Sequence, residues 1–421
     1  MIMKPFTNEI LPQGYKMTEL GALPEEWEVV RLGDVAKKMK AGGTPRRGIK
    51  EYWGGNIPFV LIEDMTSGGL YLSKTKETIT EKGLNNSSAW LVPSNTLLLS
   101  MYATIGETAI NTIPLATNQA ILAIMAKDNF SIVFGAYLLK YSTQRLIMQN
   151  IQSTQKNVNK GIVENFKIPL PPLPEQQKIA AVLSAVQEAK EKTEAVIAAA
   201  KALKKSIMKH LFTYGPVSPQ DAENVPLKET EIGPVPKDWE VARLENIFRI
   251  TSGKARPKIL KESPAEPYLF PVFGGNGIIG YSNEFLIEYP TIILGRVGEY
   301  CGSAHISQGK CWVSDNALYA NYFKKKIDLK FLLNALEILN LNKLKNRGGQ
   351  PLISQSVVYS QSISLPPLPT QQKIASILSA IDAKIETEEN KKKALEELFK
   401  ALLHNLMTAK IRVNNLEFED V

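Results

Sequence analysis

An internal repeat constrains the architecture of a chain more tightly than any single motif, and this chain repeats itself. Leu170–Ala185 reads LPPLPEQQKIAAVLSA and Leu365–Ala380 reads LPPLPTQQKIASILSA, with 13 of 16 positions identical at an offset of 195. A second echo joins Thr18–Leu32 (TELGALPEEWEVVRL) to Thr230–Leu244 (TEIGPVPKDWEVARL), aligning Trp27 with Trp239 at an offset of 212. The offsets differ by 17 residues. The chain is therefore two copies of one plan, an opening block, a body and a Pro-rich entry into a helix, with the first body longer. The two bodies scarcely match each other.

The run after each LPPLP reads as a long helix. Pro174 and Pro369 suit a first helical turn, and Ala, Glu, Gln, Lys and Leu dominate the residues beyond them. Every seventh residue from Ile179 is Ile179, Val186, Thr193, Ala200 and Ile207, with Leu183, Ile197 and Leu211 in the neighbouring row. The second copy gives Ile374, Ile381, Glu388, Leu395 and Leu402, beside Leu378, Ile385, Phe399 and Leu406. This is a coiled-coil seam that weakens at Thr193 and Glu388, which are equivalent positions. About 38 residues would make a rod of roughly 57 Å. Two core helices of a bundle would share the pattern, but duplication beside duplicated bodies favours an antiparallel pair holding two bodies apart.

Both bodies read as mixed. Strand-like runs occur at Asn56–Ile62, Thr96–Met101, Tyr268–Phe273 and Thr291–Leu294, and helical patterns at Phe134–Ile147 and Asp328–Leu341. Tyr214–Pro236, rich in proline, reads as a linker. The fold class expected is α+β: two mixed α/β globular bodies separated by two long antiparallel coiled-coil helices in a pseudo-twofold repeat. The divisions are a first body at 1–169, a central helix at 170–214, a second body at 215–364, and a distal helix and tail at 365–421.

Composition narrows the class. A length of 421 residues predicts two or three domains, and 44% hydrophobic with 22% charged residues is a globular balance. Two cysteines cannot build a disulfide framework, and the sequence shows neither a leader pattern nor a long apolar run, so a cytoplasmic, non-membrane protein is expected. A net charge of +8 tilts the expected partner toward nucleic acid.

Several chemistries find no support. Gly253-Lys254 is followed by Ala255 and Gly309-Lys310 by Cys311, so no phosphate loop supplies the Ser or Thr that holds Mg²⁺. Every Pro-Pro pair is followed by Leu, not by the aromatic residue of an amino-methyltransferase tetrapeptide. Gly275-Asn276-Gly277-Ile278-Ile279-Gly280 matches GxGxxG, but Tyr281-Ser282-Asn283-Glu284 does not open a helix there. Cys301, His305 and Cys311 have no fourth ligand nearby and no zinc spacing, so no metal site is expected. With His210 and His404 in the rods, nothing resembles a catalytic triad, and no catalytic residue is assigned.

The remaining signal is basic. Lys40–Trp53 (KAGGTPRRGIKEYW) places Lys40, Arg46, Arg47 and Lys50 around a turn containing Thr44 and leading into Tyr52 and Trp53. Lys254, Arg256, Lys258 and Lys261 occupy the corresponding place in the second body. Such side chains neutralise phosphates, while Arg, Asn and Gln also read base edges. Asn276 and Arg296 in the second body join this set. A second recurrent turn precedes each rod and adds Gln155, Lys156 and Lys160 in the first copy and Lys343, Lys345, Arg347 and Gln350 in the second. Solvated basic loops are the plain alternative for either loop alone, and recurrence at equivalent points is what favours DNA. Trp27 and Trp239 are expected in the core.

The combination resembles the specificity subunit of type I restriction-modification systems over nearly the whole chain. The resemblance rests on the Pro-x-x-Trp opening blocks, the PLPPLPEQQKIA-type helix entries, Gly42-Gly43-Thr44-Pro45, Tyr52-Trp53-Gly54-Gly55-Asn56-Ile57-Pro58, and Val272–Tyr281. It implies a subunit without catalytic activity, whose two recognition domains each read one half of a split, asymmetric double-stranded DNA target. It further implies that the paired helices set the half-site separation and dock two modification subunits. S-adenosylmethionine, ATP and Mg²⁺ would then belong to those and to ATP-dependent restriction subunits, with no cofactor in this chain. One departure is Thr370 where the first copy has Glu175. A DNA methyltransferase or nuclease with related recognition domains is the alternative from another class, and a coiled-coil adaptor without DNA contacts a third.

Overall fold

The computed structural model describes residues 11–149, 158–346 and 350–413. They form two compact units, one of residues up to Lys192 and from Lys391 onward, the other Thr193–Asn390. The division falls inside both long helices, Leu173–Tyr214 and Leu368–Met407, of 42 and 40 residues. Each unit thus combines a mixed α/β body with the start of one long helix and the end of the other, in keeping with the α+β class.

In the first unit a five-stranded sheet runs in the order Ala36–Ala41, Ile121–Ala126, Thr96–Ser100, Thr108–Asn111, Tyr71–Leu72. Its central strand, TLLLS, is buried throughout, as expected when both faces of a sheet are covered. Alternation divides it: Leu97 and Leu99 join Phe134, Leu122 and Ile124 on one face, whereas Leu98 meets Val60, Ile121 and Ala123 on the other. The helix Ile132–Tyr141 covers the first face. A three-stranded sheet, Ala116–Thr117, Trp53–Val60, Glu77–Ile79, lies beyond the second.

The second unit repeats the plan with fewer pieces. Its main sheet runs Phe248–Ser252, Ala317–Phe323, Thr291–Gly295, Ala304–Ser307, all antiparallel. Ile292 and Leu294 face Phe331 of the helix Leu329–Leu339, and Ile293 faces Phe273 and Val313. The smaller sheet is Gly277–Ser282, Phe270–Gly274, Trp312–Val313. The short helices Ile62–Ser67 and Glu81–Asn85 and the edge strand Tyr71–Leu72 belong to the first unit, and they account for its longer body.

The repeated motifs are the joints of this plan. Glu28–Arg31 pairs antiparallel with Lys167–Leu170, and Glu240–Arg243 with Ser362–Leu365. The opening block therefore pairs with the strand that leads into the long helix, and Trp27 and Trp239, 0% and 3% exposed, lie in the cores as expected. The Pro172 carbonyl accepts from Glu175 and Gln176 N–H, and Pro367 from Thr370 and Gln371, which starts each helix. Gln176 is fully buried; its amide donates to the Asn129 and Pro171 carbonyls and its oxygen accepts from Ser131 N–H at 2.9 Å. Gln371 does the same with Pro366 and with Asp328 N–H at 3.0 Å. Ser131 and Asp328 are the N-caps of the two equivalent body helices. One glutamine thus fastens each long helix to the cap of a body helix.

The heptad rows divide in use. Ile179 and Leu183 are buried in the first body's core and Ile374 and Leu378 in the second's, so the first turns of each helix serve the body before any helix pairing. Ile197 is buried, and Val186, Ile207, Ile381, Leu395 and Leu402 are half-buried. Within the second unit the helices run antiparallel, with Lys201 on Glu389 at 2.6 Å and Lys204 on Asp382 at 2.8 Å. Thr193 and Glu388 are buried, and Lys384 reaches Glu388 at 2.5 Å. The expected linker needs correction: Leu227–Thr230 and Gly233–Pro236 form an antiparallel hairpin, matching Tyr15–Thr18 with Gly21–Pro24 in the first unit. Its prolines stand where a two-stranded ribbon tolerates a missing donor.

Candidate nucleic-acid interface

In the first unit the strand Ala36–Ala41 turns Met39 inward and Lys38 and Lys40 outward, where both ammonium groups sit over the Trp90 ring, 4.7 and 5.2 Å from its centroid. The Trp90 indole N–H is buried without a hydrogen-bond partner. The chain then passes through Gly42 and Gly43, whose N–H groups donate to the Ile121 and Thr117 carbonyls. A Cβ at Gly42 would lie 2.0 Å from the Thr117 oxygen, so this approach admits only glycine.

Beyond the glycines the predicted basic loop divides. The Thr44 hydroxyl donates to Gln119 Oε1 at 2.6 Å. Arg47 is engaged within the protein, paired with Glu77 at 2.7 Å and stacked on Trp53 at 4.0 Å. Trp53 in turn packs edge-on against Phe59 and donates to the Arg46 carbonyl, and the Tyr52 carbonyl accepts from Thr80 N–H. These residues build the loop. Arg46 and Lys50 have exposed side chains with no partner among the described residues. Glu51, next to Lys50, is occupied by Lys82, whose hydrogen bond holds the carboxyl below its ordinary value.

The second unit builds the same rim from different residues. Gly253 and Lys254 N–H groups donate to the Ala317 and Val313 carbonyls, both at 3.0 Å, and a Cβ at Gly253 would meet two carbonyl oxygens at 2.2 Å. Lys254, Arg256 and Lys258 are exposed, and their side chains are unpaired among the described residues. The GxGxxG string is the turn of a β-hairpin, Gly274 opposite Gly277, with exposed Asn276 at its tip. Arg296 reaches Ser252 Oγ at 3.0 Å, and its backbone bonds Asn316 and Ile353. Val297 bridges to Leu352, and the Gly298 N–H donates to the Pro351 carbonyl at 2.8 Å, which brings Gln350 to the same edge. A Cβ on Gly275, next to Asn276, would lie 2.7 Å from the Val297 oxygen, and Lys254 bridges to Ser314, two residues from the Asn316 that Arg296 binds, so Lys254, Asn276, Arg296 and Gln350 share one rim.

Lys160 pairs with Glu164 at 3.0 Å, and Lys345 with Glu299 at 2.5 Å. Gln155, Lys156 and Arg347 lie outside the described residues. Cys301 and Cys311 are free and buried, with both thiols raised above their ordinary value by burial. Among the described residues no group of His, Cys, Asp or Glu is placed to hold a metal ion, and no helix is long and apolar enough to cross a membrane. Sequence reasoning passed over Trp90 and two exposed turn residues, Gln119 and Asp315, because each belongs to a rim through partners distant in the chain.

One scaffold carried twice, with two different polar rims, defines a duplicated recognition protein. The family model for the type I restriction modification DNA specificity domain matches residues 24–201 and 236–397, and the chain belongs to that family. It is 28% identical over 428 residues to the type I restriction enzyme MjaIX specificity subunit of Methanocaldococcus jannaschii, covering 96% of this chain and 97% of that protein. It is 26% identical over 353 residues to the EcoprrI specificity subunit of Escherichia coli, covering 82% and 85%. Among solved structures, the type I restriction-modification S subunit of M. genitalium matches with a TM-score of 0.64 at 17% identity, covering 90% of this chain and 96% of that one. A chain from a structure describing assembly and conformational transition of the type I R-M system matches with a TM-score of 0.53 at 19% identity, covering 92% and 99%. Both likenesses concern the fold.

Proposed function

We propose that this chain is the DNA specificity subunit of a type I restriction-modification complex, acting in the cytoplasm and without catalysis of its own. Each unit reads one half of a bipartite, asymmetric duplex target. The observation that carries this reading is the pair of equivalent rims: each is pinned by the same glycine against the same inter-strand turn, yet each exposes a different set of basic and polar side chains, Arg46 and Lys50 in one and Lys254, Arg256, Asn276 and Arg296 in the other. Phosphate contacts from the basic residues position the duplex, and polar side chains discriminate bases. The two long helices set the half-site spacing and dock two modification subunits. S-adenosylmethionine sits on those subunits, and ATP with Mg²⁺ on restriction subunits that join through the complex.

Binding of duplex DNA by the complex with its modification subunits tests the reading. Affinity should fall by at least tenfold between about 50 and about 200 mM salt, because several phosphates are neutralised. Salt-independent affinity would contradict it. Seven residues added to both long helices keep the heptad phase and add about 10.5 Å; the methylated motif should keep its half-sites and widen its spacer.

A further inference from the structure

The hydrogen bonds that pin the two rims establish a residue correspondence that the sequences of the bodies do not show. Gly43 N–H to Thr117 and Gly42 N–H to Ile121 in the first unit match Lys254 to Val313 and Gly253 to Ala317 in the second. Between the paired residues each unit holds a three-residue turn, Asn118-Gln119-Ala120 and Ser314-Asp315-Asn316. The turns are anchored by their flanks: Asn118 Oδ1 accepts from Ala120 N–H at 3.0 Å, Ser314 is 1% exposed, and the Asn316 carbonyl accepts from Arg296 N–H at 2.9 Å. The middle residue, Gln119 in one unit and Asp315 in the other, is exposed in both, beside the basic loop. Backbone position is thus fixed while chemistry changes, which is what a base-reading position requires.

The two side chains suit different bases. The Thr44 hydroxyl donates to Gln119 Oε1, which orients the carboxamide and leaves one oxygen lone pair and the amide hydrogens outward. That acceptor-donor pair matches the N6 amine and N7 of adenine in the major groove. The Asp315 side chain has no hydrogen bond or ion pair with a described residue and is acceptor-only at neutral pH. A carboxylate on a rim with Lys254, Arg256 and Arg296 repels phosphates unless a base donor meets it. The cytosine N4 amine is the donor that acidic side chains accept from, whereas adenine N7 would set a lone pair against the carboxylate.

We propose that Gln119 reads an adenine in the half-site of the first unit and Asp315 a cytosine in that of the second. The inference rests on the DNA-specificity reading above. The test is methylome sequencing of a host lacking other modification systems that expresses the complete complex, wild type or with Asp315→Asn, Asp315→Ala, Gln119→Glu or Gln119→Ala. Asp315→Asn should replace C by A at one position of one half-site, and Gln119→Glu should replace A by C in the other half. Each alanine variant should leave its position degenerate. Discrimination at the affected base should change about tenfold to a hundredfold, with the opposite half-site unaltered. An unchanged motif in both variants of a residue overturns the inference and leaves the specificity reading standing. Loss of all modification in both variants, with circular dichroism and assembly intact, also overturns it by making the turn structural. A wild-type complex that modifies no defined sequence would instead sink the specificity reading.

Discussion

The two units agree where the long helices are fastened and diverge where the rims face outward. At the fastening, Gln176 and Gln371 make the same contacts to a proline carbonyl and a helix-capping residue. At the rim, the same glycine-pinned turn carries Gln119 in one unit and Asp315 in the other, and the basic residues beside it differ in spacing. The difference shows where a duplicated chain is free to change. A buried amide satisfying two or three backbone groups has no substitute of the same shape, whereas an exposed turn residue loses little in stability when exchanged.

The comparison breaks most visibly at the fastenings. Gln176→Ala strands Ser131 N–H and two carbonyls in the interior, and Gln371→Ala strands Asp328 N–H and one carbonyl. At about 1–3 kcal/mol for an unsatisfied buried group, each should cost about 2–4 kcal/mol, with Gln176 the costlier. Hydrogen exchange resolves the units separately: amides of Thr96–Ser100 should lose protection in the first variant and those of Thr291–Gly295 in the second. Equal loss in both sheets from either change would show that the units do not unfold independently.

Legibility in the sequence divides the same way. The long helices, their entries and the buried tryptophans are legible because repetition marks them and because a 3.5-residue period and a Pro-led start are local signals. Strands such as Thr291–Gly295 are legible as buried apolar runs. The hairpin Leu227–Pro236 is not, since Pro226, Pro234 and Pro236 mask its pairing. Nor is the pairing of Arg47 at the surface, which depends on Glu77 thirty positions away. The reading turns are the least legible: Gly42 finds Ile121, and Gly253 finds Ala317, at unlike separations and with no shared residues between.

A second asymmetry lies at the helix entry. Glu175 accepts from the Trp27 indole at 2.9 Å and from Arg412 at 2.7 and 3.0 Å, and Arg412 also binds Glu26. The second unit has Thr370 at the place of Glu175, so it has no such clamp there. Arg412→Met should destabilise the first unit by about 2 kcal/mol, a typical value for hydrogen bonds to charged groups, and leave the second unchanged. The Arg412 hydrogen bond holds the Glu26 carboxyl below its ordinary value of 4.5. A depressed carboxyl contributes stability that is complete above that value and is lost as pH falls through the folded one. The difference between wild type and Arg412→Met should therefore narrow below about pH 4.5.

The rims sharpen the comparison in binding rather than stability. Arg46→Ala with Lys50→Ala, or Lys254→Ala with Arg256→Ala, removes two exposed charges from one rim. Each pair should weaken DNA binding by the complex about tenfold and reduce the salt slope by about two, leaving the motif unchanged if the contacts are to phosphate. A changed motif would move that pair from positioning to base reading.

The smallest effect is expected at His305, a titratable side chain in the sheet behind the second rim. Its ring lies 6.5 Å from that of Phe273 and 3.3 Å from where a Cβ on Gly277 would stand, and its Nε2 is buried without a hydrogen-bond partner. Burial lowers its pKa from the ordinary 6.5, because no acceptor compensates the charged form. The unfolded chain then binds a proton more readily than the folded one, so the second unit should lose a little stability as pH falls from about 6.5 through the folded value, an effect that solvent around the half-exposed ring keeps small. His305→Phe keeps an apolar ring between Phe273 and the hairpin and should remove the slope. Protection of the Thr291–Gly295 amides, followed between about pH 7 and pH 5.5, is the measurement; in wild type it should decline relative to Thr96–Ser100, whose unit has no buried histidine among its described residues. A decline that persists in His305→Phe would place the titration elsewhere.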